Sequence, residues 1–171
     1  MKELLRENWP QFYTATIRGW KHLLKEERFK MMIVDALQFL VESKKVKVNT
    51  FVIMDNHIHL IWQAMPGYTI KEVQTSFNKH ASKQFLKLLE DHKNIKLYKV
   101  DSPDRKHHFW KRNSLGIELF TESAFLQKFN YIHNNPVAAG LCNYAEEYKF
   151  SSASFYLTGN REFDFVEHYM G

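Results

Sequence analysis

Cysteine is nearly absent: Cys142 is the only one among 171 residues. A disulfide framework is thereby excluded, and the thiol content fits a reducing compartment. Glycine and proline are scarce, at 6 and 4. That excludes collagen-like and linker-dominated chains and makes the breaks between elements easy to place. No apolar run approaches the ~18 residues that a membrane span needs. Met1 to Asn8 is charged and lacks the apolar core of a signal peptide, so the expected location is cytoplasmic and no membrane partner is expected.

What is present suits a soluble folded protein. Hydrophobic residues make up 44%, charged residues 25% and aromatics 15%. The aromatic content alone argues against disorder. The length suits one domain over 1–171, with an extended tail from about 137. Net charge is +5, unevenly spread. Residues 71–112 carry 11 Lys and Arg against 5 Asp and Glu, a net +6, whereas residues 113–171 carry 3 against 7, a net −4. A basic middle is the footprint of a polyanion partner, or simply of a solubilising face.

Residues 11–18 are rich in β-branched and aromatic types and read as a strand. Phe29, Met32, Ile33, Ala36, Leu37 and Leu40 recur at spacings of three and four, predicting a helix over 26–43. Strands follow at 46–54 and 57–63, joined by Asp55-Asn56, a pair that tolerates a tight hairpin turn. Thr69 is placed to cap a helix over about 70–90. Its buried stripe is Ile70, Val73, Phe77, Ala81, Phe85 and Leu88, and its outward row is Lys79, Lys83 and Lys87. Residues 93–108 read as a polar loop, and 109–119 contain a short strand. A final helix is predicted over about 122–134, started by Thr121 and closed by Pro136. The order β-α-β-β-α-β predicts an α+β, ferredoxin-like antiparallel sheet with helices packed on one face.

Two stretches carry chemistry. His57 and His59 stand at i and i+2 on a strand, so they share a face while Ile58 and Leu60 face the core. Such a pair chelates one divalent cation, or is a polar strand face with two unrelated histidines. Two ligands are too few for a metal site, so a third has to come from elsewhere. Tyr131 and Asn135 stand at i and i+4 on the last helix, with Gln127 one turn earlier. A phenol beside a carbonyl ligand suits a tyrosine nucleophile at a metal centre, and the same residues also read as an ordinary helix end.

Ile53-Met54-Asp55-Asn56-His57-Ile58-His59-Leu60, followed by Tyr131-Ile132-His133-Asn134-Asn135-Pro136-Val137-Ala138-Ala139-Gly140-Leu141, resembles the IS200-like single-tyrosine transposases. The resemblance is closer to their REP-associated relatives. Phe109-Trp110-Lys111 and Tyr148-Lys149-Phe150-Ser151-Ser152-Ala153 extend it over about 11–156. The family usually carries Met-Pro-Asn-His, and here Asp55 stands in place of the proline.

The resemblance implies a ferredoxin-like fold and an HUH single-strand DNA endonuclease. In it His57, His59 and Asn135 hold Mg²⁺ or Mn²⁺, and Tyr131 is the nucleophile. The substrate is single-stranded or hairpin DNA, cut and rejoined through a 5′-phosphotyrosine. A homodimer is also compatible, since some members complete each site with a partner's tyrosine helix. Lys79, Lys83, Lys87, Arg105, Lys106, Lys111 and Arg112 are then phosphate-contact candidates, and Trp110 or Phe109 would stack on a base. The alternatives are a domesticated DNA-binding module without catalysis and a ferredoxin-like RNA-binding protein, whose sheet would display aromatics.

Overall fold

The computed structural model describes residues 8–90, 93–104 and 107–171; Arg105 and Lys106, two of the expected phosphate contacts, lie outside the described residues. Strand β1 (Gln11–Thr16) is central, with β3 (His57–Ala64) on one side and β4 (Leu115–Glu118) on the other. Strand β2 (Val46–Ile53) completes the order β2-β3-β1-β4, and every neighbouring pair is antiparallel. Helix α1 (Glu27–Glu42) connects β1 to β2, and α2 (Ile70–Leu89) leads from β3 toward β4. This is the ferredoxin-like arrangement expected from the element order.

The first face of the sheet meets α1 and α2. Tyr13, Ala15, Ile17, Ile58, Leu60 and Trp62 point there in strict alternation, each sealed from solvent. On β2 the parity changes. Val46 and Val48 face the helices, but beyond an irregularity between Val48 and Thr50 it is Phe51 and Ile53 that do so. One bulged residue is enough to exchange the two faces of a strand. The exchange turns Val52 and Met54 toward the second face.

Helix α2 begins at a reciprocal cap. Thr69 Oγ1 accepts from the Glu72 N–H at 3.2 Å, and Glu72 Oε2 accepts from the Thr69 N–H at 2.7 Å. Its sealed stripe is Val73, Phe77, Ala81, Phe85 and Leu89; Ile70 and Leu88, expected in it, are half-buried at its margins. Residues 93–108 are not all loop. Lys93–Tyr98 winds into a short 3₁₀ segment whose Tyr98 ring lies 5.0 Å from Phe109.

The second face meets α3 (Glu122–Ala138), capped by Thr121. This helix does not close at Pro136 but runs through it. The true stop is Gly140, which adopts φ +72°, a conformation that costs glycine little. There the Leu141 N–H bonds the Pro136 carbonyl and the Gly140 N–H bonds the Val137 carbonyl, each at 2.9 Å. The tail then lies along the free side of β2. Ser151 pairs with Val52, Val166 pairs with Val48, and a last short helix, α4 (Ala153–Thr158), sits between them. Among the described residues no helix is long and apolar enough to cross a membrane.

Candidate active site

His57 and His59 share the sheet face that α3 covers, as their spacing requires. Their ring centroids are 4.8 Å apart. Tyr131, on α3, places its ring 5.2 Å from His59 and 6.0 Å from Phe12. One turn on, the Asn135 side chain hydrogen-bonds His57. The i, i+4 relation survives because α3 continues past Pro136. A local steric rule would have broken the helix at the very residue the pairing needs. The four side chains therefore come together within one chain.

The imidazoles are held by groups that the sequence reading did not single out. Asn56 Oδ1 lies 2.7 Å from His57 Nδ1. A carbonyl oxygen only accepts, so His57 carries its proton on Nδ1, and the lone pair is on Nε2. Thr14 Oγ1 stands 2.8 Å from His59 Nδ1, and Phe12 stacks on the same ring at 5.5 Å. Burial pushes His59 down to about 3, helped by the positive charges of His57 and Lys128. His57 is also lowered, chiefly by burial, against opposing contributions from Asn135 and Asp55. Both rings are thus neutral at pH 7, the form in which imidazole binds a metal.

Asp55 is not a donor to this site. Its Oδ1 is bound at 2.9 Å by Lys30, whose ammonium is buried and also donates to the Leu24 carbonyl at 2.6 Å. The Leu24 N–H in turn bonds the Asp55 carbonyl at 2.9 Å. The turn leading into His57 is pinned through both the side chain and the carbonyl of Asp55, by polar contacts where the resembled family usually has proline. Among the described residues no three of His, Cys, Asp and Glu cluster. A cation here would need an oxygen from another residue type, and the Asn135 amide supplies one. The donor set of two neutral imidazoles and one amide fits a divalent cation.

Lys128 was also missed. It sits three residues before Tyr131, on the same side of α3, with its Nζ 5.8 Å from the Tyr131 ring and 4.8 Å from that of Phe12. The i, i+3 spacing was the available signal.

The expected DNA contacts fare differently. Lys79, Lys83 and Lys87 are exposed as predicted. However, they project from the helix layer on the far side of the sheet from the histidine pair. Lys111 and Arg112 are exposed, with Lys111 Nζ 5.2 Å from the Trp20 ring. Trp110 is not a stacking platform. It is 4% exposed and wedged 5.8 Å from both Phe77 and Phe85, so a base has no access to its ring. Pairing of its backbone with Ile17 turns it inward. Phe109 is buried likewise.

The family model described as "Transposase IS200 like" matches residues 18–135, a stretch containing His57, His59, Tyr131 and Asn135. The chain belongs to the IS200-like transposase family. Among solved structures, this IS200-like chain is similar to a REP-associated tyrosine transposase bound to a REP hairpin. The TM-score is 0.65 with 17% identity, over 93% of this chain and 86% of that one. A Deinococcus radiodurans R1 chain provisionally described as a transposase is more distant. There the TM-score is 0.49 with 14% identity, over 72% of this chain and 88% of that one. No curated protein matches.

Proposed function

We propose that this transposase cuts and rejoins single-stranded or hairpin DNA through a 5′-phosphotyrosine on Tyr131. The observation that carries the reading is the convergence of His57, His59, Tyr131 and Asn135, with Tyr131 packed 5.2 Å from His59. The similar solved structure, which holds a REP hairpin, supports the substrate class.

In this reading the Tyr131 Oη attacks the scissile phosphorus. A new P–Oη bond forms as the phenol loses its proton. The P–O3′ bond breaks, and the departing oxygen takes up a proton to become a free 3′-hydroxyl. The phosphodiester energy stays in the covalent link, so a second 3′-hydroxyl reverses the step and joins a new strand without ATP. A divalent cation, Mg²⁺ or Mn²⁺, held by His57, His59 and Asn135 would offset the charge growing on the phosphate oxygens. The imidazole pair favours Mn²⁺. Lys128 places a positive charge beside the nucleophile and suits a nonbridging oxygen. Since one chain supplies all four groups, no partner subunit is needed to complete the site.

Tyr131→Phe removes one oxygen from a half-exposed ring and keeps the packing. With a labelled hairpin and Mn²⁺, the wild type forms a covalent adduct visible on a denaturing gel. The variant loses it by at least about a thousandfold while its melting temperature holds, since phenylalanine offers no nucleophile. An adduct that persists in the variant, or that maps to Tyr144 or Tyr148, overturns the assignment.

A further inference from the structure

One flank of α3 carries Tyr131 and Asn135; the other carries a buried polar pair that the site does not use. An α-helix turns about 100° per residue, so Tyr131 and Asn135 lie about 40° apart around its axis, and His133 stands about 160° from each. His133 therefore faces the tail alongside β2 rather than the histidine pair, and it is buried. Its Nε2 is 2.7 Å from Ser152 Oγ, with the Phe129 ring edge-on at 4.4 Å. His133 and Ser152 both belong to the stretches that carry the family resemblance.

Ser152 Oγ also accepts from the Phe51 N–H at 3.0 Å, and the Ser152 N–H bonds the Phe51 carbonyl at 3.0 Å. This one hydroxyl thus joins three elements: α3 through His133, β2 through Phe51, and the tail to which it belongs. Phe51 precedes Val52, which stands directly opposite His59 on β3. The flank of α3 turned away from the site is therefore tied to the strand that adjoins the histidines.

The buried seat of α3 is small. Of its 17 residues only Ile132, His133 and Pro136 are buried. Apolar contact is non-directional, so a patch of this size sets the rotation of the helix weakly. A short hydrogen bond has preferred angles. This one lies across the axis from Tyr131, where it resists rolling of the helix.

We propose that His133 and Ser152 form a positioning pair whose hydrogen bond fixes the rotation of α3 and so holds Tyr131 and Asn135 against His57 and His59. The proposal rests on the DNA-cleaving reading above and deepens it. It also ties the tail to the chemistry, since Ser152 reaches the nucleophile only through the helix.

The test has two readouts. The first needs neither DNA nor metal. The Tyr131 ring lies 5.2 Å from that of His59, so the NMR resonances of the His59 ring protons report where Tyr131 sits. His133→Leu keeps the bulk and loses the hydrogen bond, and should move them. His133→Gln, whose amide can reach Ser152, should return them toward the wild-type positions. The second is the rate of adduct formation at saturating hairpin and Mn²⁺. His133→Leu should slow it by about tenfold or more, with hairpin affinity within about twofold of wild type, and His133→Gln should recover most of it. Ser152→Ala should slow it alike, and the double variant should be no slower than either single one, because all remove the same interaction. Unmoved His59 resonances, no recovery with glutamine, or losses that multiply in the double variant overturn the pair. Melting curves identify a variant that fails to fold, and the others then decide. If His133→Leu and Ser152→Ala both fail to fold, the pair serves the whole fold and the proposal falls. A wild type that forms no adduct overturns the cleavage reading, and the His59 resonances alone then decide the seat of Tyr131.

Discussion

The two faces of the sheet are built on different terms. Against α1 and α2 the contacts are apolar and closed, with Tyr13 stacked on Trp62 at 4.8 Å and Phe77 edge-on to Trp62 at 5.7 Å. Against α3 the apolar patch is small, chiefly Phe12, Val52, Met54, Ile61, Leu119 and Ile132. It borders two histidines, a half-exposed tyrosine and an amide. One face supplies stability and the other accepts exposed polar groups in return for chemistry. Separating the two lets the reactive side be polar without loosening the core.

Substitutions can sharpen that contrast, and the largest effect belongs to the closed face. Phe77→Ala should cost about 3–5 kcal/mol, from lost burial plus the cavity left among Trp62, Trp110 and α2. The urea midpoint reports it, whereas Tyr131→Phe on the open face should leave that midpoint in place. Next comes the clamp between the faces. Lys30→Met strands Asp55 without its ammonium. The cost should be about 2 kcal/mol, below that of a fully buried pair because Asp55 keeps some water. Mn²⁺ titration followed by calorimetry should show weaker binding as well, since the turn before His57 loses its anchor. Equal metal affinity in variant and wild type would detach the clamp from the site.

A pH effect of intermediate size is expected from His133. Burial lowers it to about 4, and it hydrogen-bonds Ser152 Oγ at 2.7 Å. Its folded-state value lies below the unfolded 6.5, so the unfolded chain binds the proton more readily. Its contribution is complete above pH 6.5 and is lost as pH falls toward 4, by about 1.4 kcal/mol per unit. Urea unfolding at pH 7 and pH 5 should therefore differ by roughly 2 kcal/mol more in the wild type than in His133→Gln. The smallest effects belong to the lysine row. Lys79→Glu and Lys87→Glu should each change stability by under about 0.5 kcal/mol.

Much of this was legible before any coordinates. The Asp55-Asn56 turn signal gave the β2–β3 hairpin, and period-two alternation gave the shared face of His57 and His59, because side-chain direction along a strand is a local property. The stripe of α2 followed from its spacing for the same reason. What escaped was decided at long range or by competing local rules. Lys30 reads as a surface lysine on α1 until tertiary contact brings Asp55 to it. Thr14 is one β-branched residue among several until strand register sets it opposite His59. Strand β4 is exposed along its length and so offers little pattern. Pro136 signalled an ending, whereas Gly140 four residues later held the decisive backbone freedom. Trp110 was mistaken for a platform because its segment is basic; its inward turn depends on pairing with Ile17.

The tail along β2 has a consequence for the order of folding. Asn49 Nδ2 donates to the Glu167 carbonyl across 118 positions, and Tyr156 Oη to the Asn49 carbonyl across 107. Tyr169 then packs on Phe125 and Phe129, bracing the outer side of α3. Contacts of such long sequence separation form late, because their loops must close first. On the ribosome the β2–β3 hairpin, with both histidines, is made well before the residues that brace the tyrosine helix. Tyr131 is the last member of the site to be secured, so a nascent chain carries its histidine pair for some time before the tyrosine is firmly seated beside it.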